Sequence, residues 1–541
     1  MKARPFLAVV LVVTLLTLGL ALGGWWMVWQ RSPLRLQHHP LTVPRAARFV
    51  PRQAPLSLFL YSDAEEPVGY ARAQADPRER RAAAATIERL RDGAFAAAGL
   101  DYASELTSWL APEIALALID STEPSTAAGA DPPAGGWLLA LRSRDDDGAR
   151  RFLQRFWQTR SLAGTDLQVT RYRGMGMISG RGALRGQKAA PLATAMIDDD
   201  LVLIASGRGV LEQALDVSQI DELNLAAQPR LAEGLERLGQ GAALLVAHPE
   251  ALEGWLGLPL PAAAEVRPTR LVAALRPEGR ALRLDGLVDL PADPPLETAG
   301  AGDGPLRQRL LEGPIGTPES LALVQNPAAW REVPLLRPLL ERATLPAGEG
   351  GPLPALVTAA DRGPLLAAGG AGTWLMGSSP DQPPPEAIEA ALAARGLVAA
   401  PLELGDRLLT VWTRLETGSA GDGGRGRDDG GALRLRAAPA GWRTEADGLA
   451  WWGGADLTLP RERAGGRRRR QLAALGHEAA PFRWVLGRDP ALALLRPWQP
   501  WRLLSALAGG GLEGAVQGLG LALEPVPGGV HLSARLEVGH G

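Results

Sequence analysis

The sequence predicts an α+β protein in which an N-terminal transmembrane helix precedes two tandem, divergent copies of a module built from an antiparallel sheet and packed helices. Three observations predict it: an uncharged apolar run near the amino terminus, an internal repeat that keeps its order, and hairpin patterns interleaved with amphipathic helices. The chain has 541 residues, 46% hydrophobic and 21% charged, so two or three domains with a sizeable core are available. Its 65 Gly and 45 Pro exceed the usual level and imply generous loops.

Phe6 to Trp29 reads FLAVVLVVTLLTLGLALGGWWMVW, 24 residues without a charge. As a helix it would extend roughly 36 Å, enough for a bilayer core. Lys2 and Arg4 flank it on one side; Trp25, Trp26, Trp29 and Arg31 fall at the other, where indoles favour the lipid–water interface. A cleaved signal peptide also starts with basic residues, but its apolar run is shorter and ends at small residues. A retained signal-anchor is therefore expected over residues 1–32, single-pass, in contact with the lipid bilayer through residues 6–29. The short start would be cytoplasmic and the body extracytoplasmic, in a periplasm or thylakoid lumen, because long domains translocate largely regardless of local charge.

Six segments recur in order along the body. APLSLFLYSD (Ala54–Asp63) matches TPESLALVQN (Thr317–Asn326), APEIALALID matches LPALVTAAD, and GGWLLALRS around Trp137 matches AGTWLMGSS around Trp374. LATAMIDDDLVLIAS pairs with LAWWGGADLTL, ALLVAHPEALEGWLG with FRWVLGRDPALALL, and AALRPEGRALRLDGLVDL with LALEPVPGGVHLSARLEV. The expected organisation is copy 1 over 51–292, a Gly/Pro-rich linker over 293–313 and copy 2 over 314–540. Within each copy, local signals place the elements. Asp145, Asp146 and Asp147 open a helix carrying Phe152 and Phe156 on one face, and ALRPEGRALRLDGL and ALEPVPGGVHLSARL read as hairpins. Antiparallel sheets with helices on one face follow from this alternation.

The order GLDYASELTSWLAPEIALAL, WLLALRSRDDDGARRFLQRF and LATAMIDDDLVLIASGRGVLEQAL resembles a bacterial family, frequent in cyanobacteria, classified as domain of unknown function 3352. The resemblance covers most of residues 1–292 and implies an N-terminal membrane segment and an extracytoplasmic body. It transfers no catalytic residue.

Composition excludes several chemistries. With no Cys there is no thiolate nucleophile, disulfide or Cys-based zinc site. Lys2 and Lys188 are the only lysines among 57 basic residues, and Ala189 after Lys188 breaks a phosphate-loop signature. A formal charge of −2 argues against nucleic acid as partner. Of the six His, His38 and His39 are the only local pair, His248 sits at a strand-to-helix junction, and His477-Glu478 fails as a zincin motif because Pro481 replaces the second His. The Asp198–Asp200 triplet reads as a hairpin turn rather than a catalytic carboxylate set, its counterpart being placed at Asp456. The glycines of RYRGMGMISG read as a turn, and the stretch from Thr417 to Gly431 as a flexible insertion.

Two features offer speculative lipid or partner contacts. Arg467, Arg468, Arg469 and Arg470 would attract anionic headgroups, although a solvated helix start is the plainer reading. Trp498 and Trp501 could meet a partner or lie buried in copy 2. No catalytic site, metal site or cofactor is expected. The sequence thus favours a membrane-tethered extracytoplasmic binding or scaffold protein, with an unidentified membrane or extracytoplasmic protein as the expected partner. A carrier of lipid or another apolar ligand is the alternative, and an enzyme stands third.

Overall fold

The computed structural model describes residues 32–119, 136–162, 167–182, 190–254, 256–257, 267–291, 304–334, 336–344, 356–357, 360, 363–370, 373–405, 407–418, 434–457 and 466–539. These fall into two compact units, neither contiguous in sequence. The first gathers Met1–His248, Val272–Leu282 and Leu503–Gly514; the second gathers Pro249–Leu271, Arg283–Arg502 and Ala515–Gly541.

In the first unit the strands are β1 (Leu56–Leu60), β2 (Leu110–Ile119), β3 (Gly136–Ser143), β4 (Gln168–Tyr172), β5 (Met175–Gly182), β6 (Ala190–Ile197), β7 (Leu201–Ala205) and β8 (Ala243–Ala247). They pair antiparallel in the order β8-β1-β2-β3-β7-β6-β5-β4. Leu201, Leu203 and Ala205 of β7 pack with Val210, Leu211, Ala214 and Leu215 of the helix Arg208–Val217, whereas Val202 and Ile204 pack on the opposite face with Phe152, Phe156 and Trp157. Those aromatics belong to the helix Asp146–Leu162, whose first turn carries Asp146 and Asp147 where the helix dipole favours acids. Helices thus cover both faces of this sheet. The finding corrects the one-sided packing expected above, and it explains why β7 reads LVLIA with no polar alternation.

The hairpin of β9 (Arg270–Glu278) and β10 (Ala281–Asp289) follows in the chain. The second unit's strands are β11 (Ser320–Gln325), β12 (Pro364–Gly370), β13 (Thr373–Ser378), β14 (Val398–Leu404), β15 (Arg407–Gly418), β16 (Arg434–Ala446), β17 (Leu449–Gly453) and β18 (Phe482–Gly487), with the hairpin β19 (Val516–Val526) and β20 (Gly529–Val538). Their antiparallel order is β18-β11-β12-β13-β17-β16-β15-β14, the first unit's order with each strand replaced by its counterpart further along the chain. Strand β19 continues this sheet beside β18 and pairs with β20.

Strand β17 again faces two cores. Leu449 and Trp451 pack with Leu310, while Ala450 and Trp452 pack with Ile388 and Leu392. The indoles fit because their neighbours are small: a Cβ on Gly377 would lie 2.7 Å from the Trp451 ring, and one on Gly453 would lie 2.3 Å from the Trp442 ring. Trp412 and Trp452 stack at 5.5 Å on the far face. Leu310 comes from the helix Gly304–Glu312, which occupies most of the described part of the expected linker.

The expected fold class is corrected at its amino terminus. It included a transmembrane helix, yet among the described residues no helix is long and apolar enough to cross a membrane. The 18-residue helix Arg80–Ala97 shows why, since it carries Arg80, Arg81, Glu88, Arg89, Arg91 and Asp92. Phe6–Trp29 lies outside the described residues.

Candidate functional site

Trp25, Trp26, Trp29 and Arg31 lie outside the described residues, as do residues 419–433 of the expected insertion. Arg467 to Arg470 open the helix Gly466–Ala474. They do not act as one patch: Arg467 and Arg470 are exposed, but Arg468 is half-buried, donating from Nε to the Pro318 carbonyl at 3.1 Å and from Nη1 to Gln471 Oε1 at 2.5 Å. Burial and the neighbouring Arg467 lower the pKa of Arg468, which is therefore a structural clasp. Trp501 is buried, so it offers no contact surface, whereas Trp498 is partly exposed and donates from Nε1 to the Leu256 carbonyl at 2.6 Å.

The acidic triplet forms the turn between β6 and β7, with Asp198 and Asp199 at φ of 45° and 63°. Short polar side chains tolerate that left-handed backbone. Arg45 reaches Asp198 at 2.8 Å and Asp200 at 2.5 Å, and Arg150 reaches Asp199 at 2.8 Å. All three carboxylates are spent on guanidinium groups. The equivalent turn between β16 and β17 holds Asp447, at φ of 56°, and Gly448, rather than the Asp456 matched by sequence. His248 Nδ1 lies 2.9 Å from the Ala54 carbonyl at its junction, and His39 Nδ1 lies 3.0 Å from the Pro40 carbonyl.

A polar cluster that sequence spacing does not reveal forms in the second unit. Glu524 and His531 are directly opposed on β19 and β20, which puts both side chains on one face of the hairpin. His477, in the loop between the helix Gly466–Ala474 and β18, approaches that face. Its Nδ1 is 3.4 Å from Glu524 Oε2, and its ring meets that of His531 edge-on with centroids 5.1 Å apart. Arg283 of β10 donates from Nη2 to His477 Nε2 at 3.0 Å and pairs through Nε with Asp285 at 3.0 Å. Asp285 in turn accepts from the Ser533 hydroxyl at 2.8 Å and lies 4.0 Å from His531 Nε2. The donors come from three places in the chain, so no local motif announces them.

The second feature is an apolar row on the ribbon β14–β15. Pairing of Leu402 with Leu409 and of Ala400 with Val411 puts even-numbered β14 side chains on the same sheet face as Leu409 and Val411, which are core residues. Yet Val398, Leu402 and Leu404 are 66%, 39% and 48% exposed, and Leu415, further along that face of β15, is 68% exposed. The apolar face of the sheet therefore runs on past the helices that cover it. Strand β14 pairs with β15, and among the described residues no strand pairs with its other edge.

Residues 10–302 match the model of a family described as a protein of unknown function, DUF3352. The chain belongs to that family. The DUF3352 match spans β1 to β10, so the apolar ribbon and the His477–Glu524–His531 group lie beyond it. No curated protein matches the chain. Among solved structures, crystal forms III, IV and I of TP0453 are 9%, 9% and 10% identical, covering 49%, 45% and 49% of this chain and 85%, 79% and 85% of theirs. Their TM-score is 0.25 in each case, a likeness that carries no argument about this DUF3352 protein.

Proposed function

We propose that this DUF3352 protein is a non-catalytic binding or scaffold protein that docks an extended segment of another polypeptide on the β14–β15 ribbon. The observation that carries the reading is the row Val398, Leu402, Leu404 and Leu415, which continues a core-facing sheet surface yet stays exposed. An incoming strand at the edge of β14 gains main-chain hydrogen bonds, and partner side chains that fold over the ribbon cover the apolar row. Two divergent copies of one module form part of the proposal, supported by the shared strand order of the two units. An exported body is also part of it, supported by the uncharged run Phe6–Trp29 behind Lys2 and Arg4.

A photo-reactive residue placed at Leu402 in the native host tests the docking face. The expected result is one discrete cross-linked polypeptide, with little product from the same probe at Val169, an exposed position on β4. Cross-linking of equal yield from both positions, or none from Leu402, would sink the reading. An adduct with the mass of a second copy would identify the partner as this chain itself. Fractionation of the host with a reporter fused to the body tests export, and a cytosolic reporter would refute that part.

A further inference from the structure

We infer that His477, Glu524 and His531 form a binding site for a divalent transition-metal ion, with zinc as the probe of choice. Two imidazoles and one carboxylate are a donor set that zinc accepts, leaving a further position for water or an external ligand. Among the described residues these three form the one group whose ligand atoms all lie within 4.8 Å of one another. Tetrahedral zinc with bonds of about 2.0–2.1 Å separates its donors by about 3.3 Å. The His477 Nδ1 to Glu524 Oε2 distance of 3.4 Å already matches one such edge, and is long for a charge-assisted hydrogen bond. The opposed pair on β19 and β20 fixes two donors on a paired hairpin, so the remaining adjustment falls on the His477 loop.

The surrounding groups complete the argument. Asp285, 4.0 Å from His531 Nε2 and held by Ser533 and Arg283, stands where an outer carboxylate orients a metal-bound imidazole. Glu524 and Asp285 set two carboxylates beside the imidazoles, with Arg283 paired to Asp285, an arrangement that can take a cation. Arg283 is the metal's competitor. A guanidinium only donates, so its contact with His477 Nε2 requires that nitrogen to be unprotonated and leaves the proton on Nδ1. Metal binding at Nδ1 shifts the proton to Nε2, and Arg283 gives up that one contact while keeping Asp285.

Calorimetric titration of the purified full-length chain with zinc tests the site. We expect one equivalent bound, a loss of affinity of at least tenfold in both Glu524→Gln and His531→Gln, and a loss of about tenfold in Asp285→Asn. Arg283→Gln is expected to bind zinc more tightly than the parent, an effect that a purely structural network does not produce. His39→Gln is expected to bind like the parent. No uptake of zinc by the parent, or uptake that survives Glu524→Gln and His531→Gln together, overturns the site. Should that double variant fail to fold, cobalt added to the parent decides: visible d–d absorption that zinc displaces supports the site, and its absence overturns it.

Discussion

Replacing both Leu402 and Leu415 with Glu tests whether the β14–β15 row is a docking face or an extension of the core. Complete burial of a leucine stabilises by about 1.5–3 kcal/mol. The exposed portions of the two side chains together amount to roughly one whole leucine, so a partner that covers them gains about 2 kcal/mol from this pair, or about 30-fold in affinity. Introduced carboxylates add the cost of desolvating charge in the complex and deepen the loss. Within the free protein the covered portions of the same side chains, Leu402 being 39% and Leu415 68% exposed, also sum to about one leucine, so the unfolding free energy should fall by no more than about 2 kcal/mol. The paired assay is urea unfolding followed by circular dichroism, alongside cross-linking yield from a photo-reactive residue at Leu404. A loss of stability within that limit, with a yield reduced at least tenfold in the still folded protein, is the expected result. Undiminished cross-linking would falsify the docking reading, as would a loss of stability well beyond about 2 kcal/mol, which would make the row part of the folded core.

Three further outcomes follow from the packing. Arg483 on β18 is buried, and burial with the neighbouring Arg307 pushes its guanidinium down to about 10; Arg483→Met should raise stability by about 1–2 kcal/mol in urea unfolding, and an equal loss would contradict the argument. Burial, with Glu65 and Asp63 nearby, raises the Tyr102 phenol to about 12. The folded chain then keeps a proton that the unfolded chain releases near pH 10, so stability falls between about pH 10 and 12. Tyr102→Phe should flatten that fall, and an unaltered pH profile would refute the assignment. Gly453→Ala should cost about 1–3 kcal/mol because its methyl group meets the Trp442 ring, measurable as a lowered thermal midpoint; an unshifted midpoint would show that the indole moves freely.

The shared strand order is legible in sequence where a Pro or Asp punctuates the strand, as in β1 against β11 and β8 against β18. It slips where turns differ. Sequence matching aligned LPALVTAAD with β2, whereas the strand equivalent to β2 is Pro364–Gly370, and it matched the acidic turn to Asp456 rather than to Asp447–Gly448. Short apolar strands carry little to distinguish one register from the next, and the pairing across the sheet settles it. The continuous runs LVLIA and LAWWG hold the signal of a sheet covered on both faces, one that hairpin periodicity elsewhere obscured.

The sequence by itself determined the α+β class, the antiparallel hairpins, the family and the exclusion of cysteine chemistry, because these depend on composition and on patterns within a few residues. Tertiary structure alone decided which charged and apolar groups are available. It tied Asp198, Asp199 and Asp200 to Arg45 and Arg150, buried Trp501, and turned Arg468 into an internal clasp. It also left every residue of β14 exposed and joined His477 to a hairpin some fifty residues further along the chain. Partners of this kind meet through strand pairing and helix packing, whose distances in space have no counterpart in spacing along the chain.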